Sequence, residues 1–344
     1  MTAPTLAFFT RLLDDASPAE RYRLATEQIQ HAERFGVGRA WVAQHHFRAA
    51  EGGLPSPFVF LTHVGAHTAT IRLATGIITL PLEDAVKVAE DSAVADLLTG
   101  GRIDLGIGSG GTPSSFLPFG QDPANKAVVF DEKLAVLRGA YRGDELPGSN
   151  HLYPAAPHLD ARIWQATFSA FGGARAGAAG DGLLLSRTQP RPAENRTASL
   201  AEIQVPIIEQ YQDALPAGTT PRVTASRTIF VADSREDALR FAEVGLTRAV
   251  AGFRRQGQGI IGDTLVDYIR GTDTHLGTPD EVAESLAADA TLQHATEIAF
   301  QVHSVDAPHE HILRSIELFA TEVAPQLGWA TTEPVLAGAR QENA

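Results

Sequence analysis

Apolar positions along the chain follow two alternating patterns. Short apolar runs bounded by turn residues read as buried strands, and the stretches after them carry apolar residues three and four apart, as helices do. Strands are predicted at residues 6–9, 39–42, 73–80, 103–108, 163–166, 182–185, 223–231 and 298–303. Helices are predicted at 58–67, 85–98, 126–141, 172–179, 193–212, 278–290 and 309–323, with another running from Ser234 to Leu246. The first helix opens at Ser17-Pro18-Ala19-Glu20, an N-cap, an N1 proline and an N3 glutamate. It carries Leu24, Ile29, Ala32 and Phe35 on one side, and Gly36 suits its end. Thr278-Pro279-Asp280-Glu281 is a second capping box. In the 85–98 helix, Val86, Ala89, Ala93 and Leu97 are expected to face inward, and Gly100-Gly101 stops it.

Eight strands that each lead into a helix imply a parallel sheet with right-handed crossovers. Eight such units favour an α/β fold of the (β/α)8 TIM-barrel type over an open doubly wound sheet. Residues 1–344 are therefore expected to form a single barrel domain. Residues 252–277, rich in glycine and charge, break the repeat and read as an insertion after strand 7 and a candidate lid, and 330–344 as a flexible C-terminal tail.

Composition narrows the chemistry. The chain has 344 residues, 28 basic against 41 acidic side chains, a formal charge of −13 and no cysteine. Disulfides, thiolate nucleophiles and Cys-ligated zinc or iron–sulfur clusters are excluded. The acidic balance argues against nucleic acid or an anionic membrane as partner. MTAPTLAFFT lacks a basic n-region, and no apolar run of about 18 residues occurs, so a cytoplasmic protein without membrane attachment is expected.

In a barrel, catalytic groups sit just past the C-terminal ends of strands. Three segments occupy such places: Gln44-His45-His46-Phe47 after strand 2, Gly106–Thr112 after strand 4, and Thr167–Gly173 after strand 5. His45 and His46 are proton-transfer candidates near neutral pH; the alternative is a loop histidine with a structural hydrogen bond. Gly106, Gly108 and Gly111 fit GxGxxG, yet Pro113 and Pro118 follow where a dinucleotide fold needs a helix. A strand end bare of side chains, open to a flat ligand, is the better reading. Ser169 with Gly172 and Gly173 before a short helix forms an anion site or an ordinary N-cap, with Arg175 or Arg187 as added charge. His63 and His67 lack the HExxH glutamate, so no metal site is expected, and Ser109 lacks the GxSxG context of a serine hydrolase. His303, His309 and His311 are scattered. Phe9, Trp41, Phe116 and Phe119 are candidates for an apolar pocket.

ERFGVGRAWVAQHHF followed by LATGIITLPLEDAVKVAEDSAVADLLTGGRIDLGIGSG resembles the bacterial luciferase-like flavin monooxygenase family. The likeness is dense over 5–111 and returns at 169–182, ending AAGDG, and at GTPDEVAESL. It implies a barrel that binds reduced flavin, FMN supplied by a separate flavin reductase or F420 in some branches. It also implies a small-molecule substrate and a homodimer packed through helices near the start of the barrel. The implied chemistry is oxygen insertion through a flavin hydroperoxide, or hydride transfer with F420; a flavin-binding protein without turnover is a further alternative. By position, His45 and His46 match the functional histidines and Gly76-Ile77 an unusual backbone turn, sometimes a non-prolyl cis peptide, against the flavin. Gly108 and Ser109 match positions beside the cofactor, and Ser169, Gly172 and Gly173 its phosphate site. Three departures matter. Gln44 replaces a glutamate, which removes a carboxylate partner from the histidines. Ser109 replaces a phosphate-binding arginine, and Gly108 the reactive cysteine of true luciferases. The resemblance therefore implies a monooxygenase relative and not a light emitter. Its ring would lie across the barrel's open end, its tail near Ser169 and its reactive edge within reach of His45.

Overall fold

Eight apolar runs pair edge to edge in a computed structural model that describes residues 3–255 and 259–332. In chain order the elements are β1 (Thr5–Thr10), α1 (Pro18–Arg34), β2 (Arg39–Val42), α2 (Pro57–His67), β3 (Arg72–Thr75), β4 (Ile78–Thr79), α3 (Ala85–Leu98), β5 (Ile103–Gly108), α4 (Lys126–Arg142), β6 (Ile163–Ala166), α5 (Ala170–Ala178), β7 (Gly182–Leu185), α6 (Leu200–Ala214), β8 (Val223–Val231), α7 (Arg235–Arg255), α8 (Leu265–Gly271), β9 (Thr274–Gly277), α9 (Pro279–Ala287), β10 (Glu297–Gln301) and α10 (His309–Leu318). Strands β1, β2, β3, β5, β6, β7, β8 and β10 pair in that order, all parallel, and β10 closes the ring on β1 from Thr5↔Glu297 to Phe8↔Phe300. This is the (β/α)8 barrel expected from the alternation. β5 is buried at every position, as a parallel strand covered on both faces must be.

Two layers inside the ring decide where a ligand can enter. At the strand N-termini, Asp104 accepts from Arg39 Nε at 3.0 Å and Arg72 Nε at 2.6 Å. There too, Glu297 accepts from Trp41 Nε1 at 2.8 Å and Thr224 Oγ1 at 2.9 Å. Above this charged floor Trp41 and Trp164 meet edge to face, centroids 5.5 Å apart, among Ala7, Ala74, Leu184 and Ala299. The lumen is thus filled from below and opens at the C-terminal ends of the strands.

The structure departs from the sequence pattern in several places. The single strand expected at 73–80 is two, β3 and β4, separated by a cis peptide at Gly76-Ile77. The helix expected over 193–212 starts only at Leu200, where Ser199 and Glu202 form a capping box, and it carries Pro206 in its interior. Of the α3 residues expected to face inward, Ala89 and Ala93 are buried, together with Ala85, Val88 and Ser92, whereas Leu97 is exposed beside Val94 and Leu98. The described residues of the segment read as an insertion, 252–277, carry secondary structure of their own. α7 runs on to Arg255, and α8 and β9 follow. β9 joins the outer half of β8, from Thr228↔Thr274 to Val231↔Gly277, while the inner half of β8 pairs with β10. At the far end, Ala330 and Thr332, expected in a loose tail, are held by hydrogen bonds from their amides to the carbonyls of Pro4 and Gly36, each 2.9 Å. The rest of that expected tail, 333–344, and residues 256–258 lie outside the described residues.

Candidate active site

A cavity of about 930 Å³ occupies the C-terminal mouth of the barrel. Its walls come from residues just past different strands, the position where the fold leaves backbone and side chains free of the sheet. One wall is an apolar shelf. Phe9, Trp41, Ile77, Ala166 and Leu184 line it, and Gly76 packs so tightly that a Cβ would sit 3.0 Å from the Phe9 ring and 3.3 Å from Trp41. Ile77 is supported from behind by Gly108, where a Cβ would approach its Cδ1 to 3.1 Å.

His45 and His46 both reach the cavity. The amide of His45 donates to Leu54 O at 2.9 Å, so the loop after β2 folds back over it, and Gly52 lies against the imidazole. The ring is partly open to the cavity and enclosed elsewhere. Burial pushes its pKa down to about 3, and the charge of Arg11 adds to the effect, followed by His46 and Arg187. At neutral pH His45 is therefore uncharged, with one ring nitrogen to donate and one to accept. His46 is held against Phe119, centroids 4.8 Å apart, and its Nε2 has no protein partner among the described residues. Burial lowers its pKa as well, opposed by Glu83.

Glu83 restores part of what Gln44 takes away. Gln44 Nε2 donates to Glu83 Oε1 at 2.6 Å, and Gln44 Oε1 accepts from the Thr79 amide at 2.8 Å. The carboxylate that Gln44 lacks is thus present nearby, supplied by a residue 39 positions further on and close enough for its charge to act on His46.

The glycine run behaves as a strand end and not as a nucleotide loop. Gly106 lets β5 press on β3, with its amide donating to Thr75 Oγ1 at 2.9 Å. Short 3-10 turns, Pro113–Ser115 and Leu117–Phe119, follow in place of a helix. The bare cavity wall is formed by Gly110 and Gly111; Gly108 and Ser109 do not reach it. Phe116 lines the cavity, whereas Phe119 packs on His46 instead.

Around the expected phosphate site, Thr167 and Phe168 line the cavity edge and Ser169 is exposed beside them. Ser169 caps α5, its Oγ accepting from the Gly172 amide at 3.2 Å and its carbonyl from the Gly173 amide at 3.0 Å. Those two amides are thereby occupied. Both glycines are buried for packing, Gly173 against the backbone of Ile207 in α6. The amides left open in the first turn are those of Ala170 and Phe171. Neither arginine offered by the sequence turns this way. Arg175 donates to Gln165 at 2.8 Å and Asp131 at 3.0 Å. Arg187 lies in the cavity, donating from Nε to Gln301 Oε1 and from Nη1 to Thr228 Oγ1, each at 3.0 Å.

The cavity's charge runs opposite to the molecule's. Six arginines line it (11, 21, 48, 187, 248 and 255) against two carboxylates, Asp15 and Glu51, in a chain of net charge −13. Arg11 follows β1 directly, a cation closing the run Phe8-Phe9-Thr10, and that juxtaposition is its one mark in the sequence. His303 is outside the cavity, buried and paired with Asp14 at 3.0 Å. His63 and His67 stack on α2. No group of three or more His, Asp or Glu able to hold a metal occurs among the described residues.

Comparison with known proteins agrees with this architecture. The sequence profile of luciferase-like monooxygenases matches residues 5–296. A 4-hydroxyprotoasukamycin monooxygenase from Streptomyces nodosus subsp. asukaensis is 30% identical over 332 residues, 87% of this chain and 85% of that protein. Among solved structures, monooxygenase RslO1 from Streptomyces bottropensis superposes with a TM-score of 0.79 at 22% identity, over 94% of this chain and 99% of that one. The oxygenating constituent of 3,6-diketocamphane monooxygenase from Pseudomonas putida, in complex with FMN, gives 0.78 at 18% with the same coverages. A coenzyme F420-dependent tetrahydromethanopterin reductase from Methanopyrus kandleri gives 0.64 at 18%, again over 94% and 99%. At these identities the structural likenesses speak to the fold.

Proposed function

The chain belongs to the luciferase-like monooxygenase family, and from that premise we propose that it uses reduced FMN and O2 to oxygenate a small organic substrate in the C-terminal cavity. The observation that carries this reading is that the shelf of Gly76, Ile77, Trp41 and Phe9 and an uncharged His45 line one cavity large enough for a tricyclic ring and a small molecule together. The residues present fit such a ring: a side-chain-free strip at Gly76, Gly110 and Gly111 admits a flat face. When bound, the flavin supplies the activation of oxygen.

The protein's part is to position and to exclude water. The shelf holds the ring, and the first turn of α5 with Ser169 takes the phosphate through the Ala170 and Phe171 amides and the helix dipole. His45 holds one proton on its ring and accepts a hydrogen bond at the other nitrogen, which suits it to relay a proton beside the reacting atoms, taking one as it gives the other, so that the ring stays uncharged. The loop that presents His45 is held by its amide on Leu54 O and by Gln44 bridging Glu83 and the Thr79 amide, with His46 beside it against Phe119.

A separate flavin reductase delivers the reduced cofactor as a transient partner. A second copy of the chain covers the exposed Val59, Val94, Leu97 and Leu98 on α2 and α3. No helix among the described residues is long and apolar enough to cross a membrane, and a cytoplasmic setting suits a cysteine-free flavoprotein fed by a reductase. The test is an anaerobic titration with reduced FMN against F420. Saturable binding of reduced FMN and substrate-dependent oxygen uptake are expected. Binding of F420 alone would replace this reading with hydride transfer.

A further inference from the structure

Two of the six arginines lining the cavity meet carboxylates, and the exposed end of a third rests on a backbone carbonyl. Arg48 meets Glu51 at 3.3 Å, Arg248 meets Asp306, and Arg21 donates to Ala49 O at 2.8 Å. Arg187 is different. It is 5% exposed, and its acceptors, Gln301 and Thr228, are both neutral. Its Nη2 has no protein partner among the described residues. A guanidinium buried without an anion is costly, and the cost is relieved when an anion arrives. Arg11 lies close enough for its charge to weigh on Arg187. Its Nε is buried without a partner, although Glu51 partly offsets its charge. Burial draws Arg187 down to about 9 and Arg11 to about 10, so both stay protonated at neutral pH and both would be stabilised by a counter-charge.

Position in the ring says which ligand this serves. Arg187, Thr228, Gln301 and Arg11 belong to β7, β8, β10 and β1 or the residues just past them, which are consecutive around the barrel. The Gly76–Ile77 and Gly110–Gly111 wall belongs to β3, β4 and β5, on the opposite side. A ring seated on that wall leaves the arginine side for the second reactant.

We propose that Arg187, seconded by Arg11, is the receptor for a carboxylate on the substrate, and that the enzyme acts on organic acids. With Nε and Nη1 of Arg187 fixed by Gln301 and Thr228, one carboxylate oxygen takes the free Nη2 and the other turns to Arg11. The acid group is then anchored beside His45, which feels the charge of both arginines. This rests on the oxygenase reading for the identity of the second reactant, but the anion site can be read without flavin.

The experiment is calorimetric titration of flavin-free protein with benzoate and 2-naphthoate, with their primary amides, and with inorganic phosphate. Wild type, Arg187→Gln, Arg11→Gln and Gln301→Glu are compared, the last placing a carboxylate on Arg187's own partner in case Arg187→Gln fails to fold. The acids are expected to bind at least about tenfold tighter than the amides. That preference is expected to vanish in Arg187→Gln and Gln301→Glu and to shrink in Arg11→Gln, while affinity for reduced FMN is retained. Equal binding of acid and amide by wild type overturns the proposal, as does a preference that survives both Arg187→Gln and Gln301→Glu. Phosphate binding tighter than either acid, with reduced FMN affinity falling in the variants, would assign the arginines to the cofactor and equally overturn it. Failure of the oxygenase reading would show separately, as absent binding of reduced FMN.

Discussion

Replacing His45 by glutamine tests the electrostatics of the site through stability, without any ligand. In the folded chain the imidazole is held down to about 3 by burial and by the neighbouring arginines; in the unfolded chain it returns to its usual 6.5. Above pH 6.5 both states carry a neutral ring and folding is unaffected. As pH falls from 6.5 toward 3, the unfolded chain takes up a proton that the folded chain refuses, so stability is lost across that window. Between 6.5 and pH 5 the gap is 1.5 units, and at about 1.36 kcal/mol each this gives about 2 kcal/mol. The ring is partly open to a water-accessible cavity, which reduces the expected effect to about 1–2 kcal/mol. The assay is urea unfolding, followed by tryptophan fluorescence, of wild type and His45→Gln at pH 7 and pH 5. Wild type should lose that much more stability than the variant on going to pH 5, since His275, His46 and every other titrating group are common to both. A difference independent of pH, or a variant that suffers more from acid than wild type, would refute the argument and with it the uncharged His45.

Three further outcomes follow from other parts of the structure. Ser169→Ala should cost about 1 kcal/mol of stability through the lost cap of α5, and should weaken reduced FMN by about fivefold to tenfold while leaving riboflavin unchanged in the same anaerobic titration. Gly173→Ala drives a methyl group into the Ile207 backbone; it should lower the urea midpoint by the equivalent of about 1–3 kcal/mol, and an unchanged midpoint would show that α5 and α6 are not in close register. Leu97→Glu with Leu98→Glu should turn the proposed dimer into a monomer in sedimentation velocity while leaving the far-UV circular dichroism unchanged, because both side chains are exposed in the single chain.

The barrel was legible because parallel strands buried on both faces appear as apolar runs, and all eight of the ring did. What escaped was decided by long-range packing. β9, Thr-His-Leu-Gly, is too short and too mixed to show as a strand; it exists because β8 offers it an edge. The 73–80 run looked continuous because its break lies in the backbone at Gly76-Ile77 and not in its hydrophobicity. At the site, His45 was legible from its place after β2, and its side chain lines the cavity. Ser169, Gly172 and Gly173 carried one signature with two meanings, since a helix cap and an anion site use the same residue types, and the amides of Gly172 and Gly173 went to the cap. Arg187 was visible as a charge, but its contact past β8 to Gln301, 114 positions away in sequence, was not. Glu83 stayed hidden for the same reason, its contact with Gln44 being made only by the closed fold.

Thr228 is a branch point. Below it β8 pairs with β10; beyond it β8 follows β9, and Arg187 braces the fork by gripping Thr228 at the branch and Gln301 on the β10 prong. The polypeptide between these prongs hangs from the outer half of a single strand and leaves the hydrogen-bonded hoop intact. A segment attached this way is a natural place for grafting: loops exchanged there would reshape the entrance while the hoop, the tryptophan pair and the ionic base below keep their form.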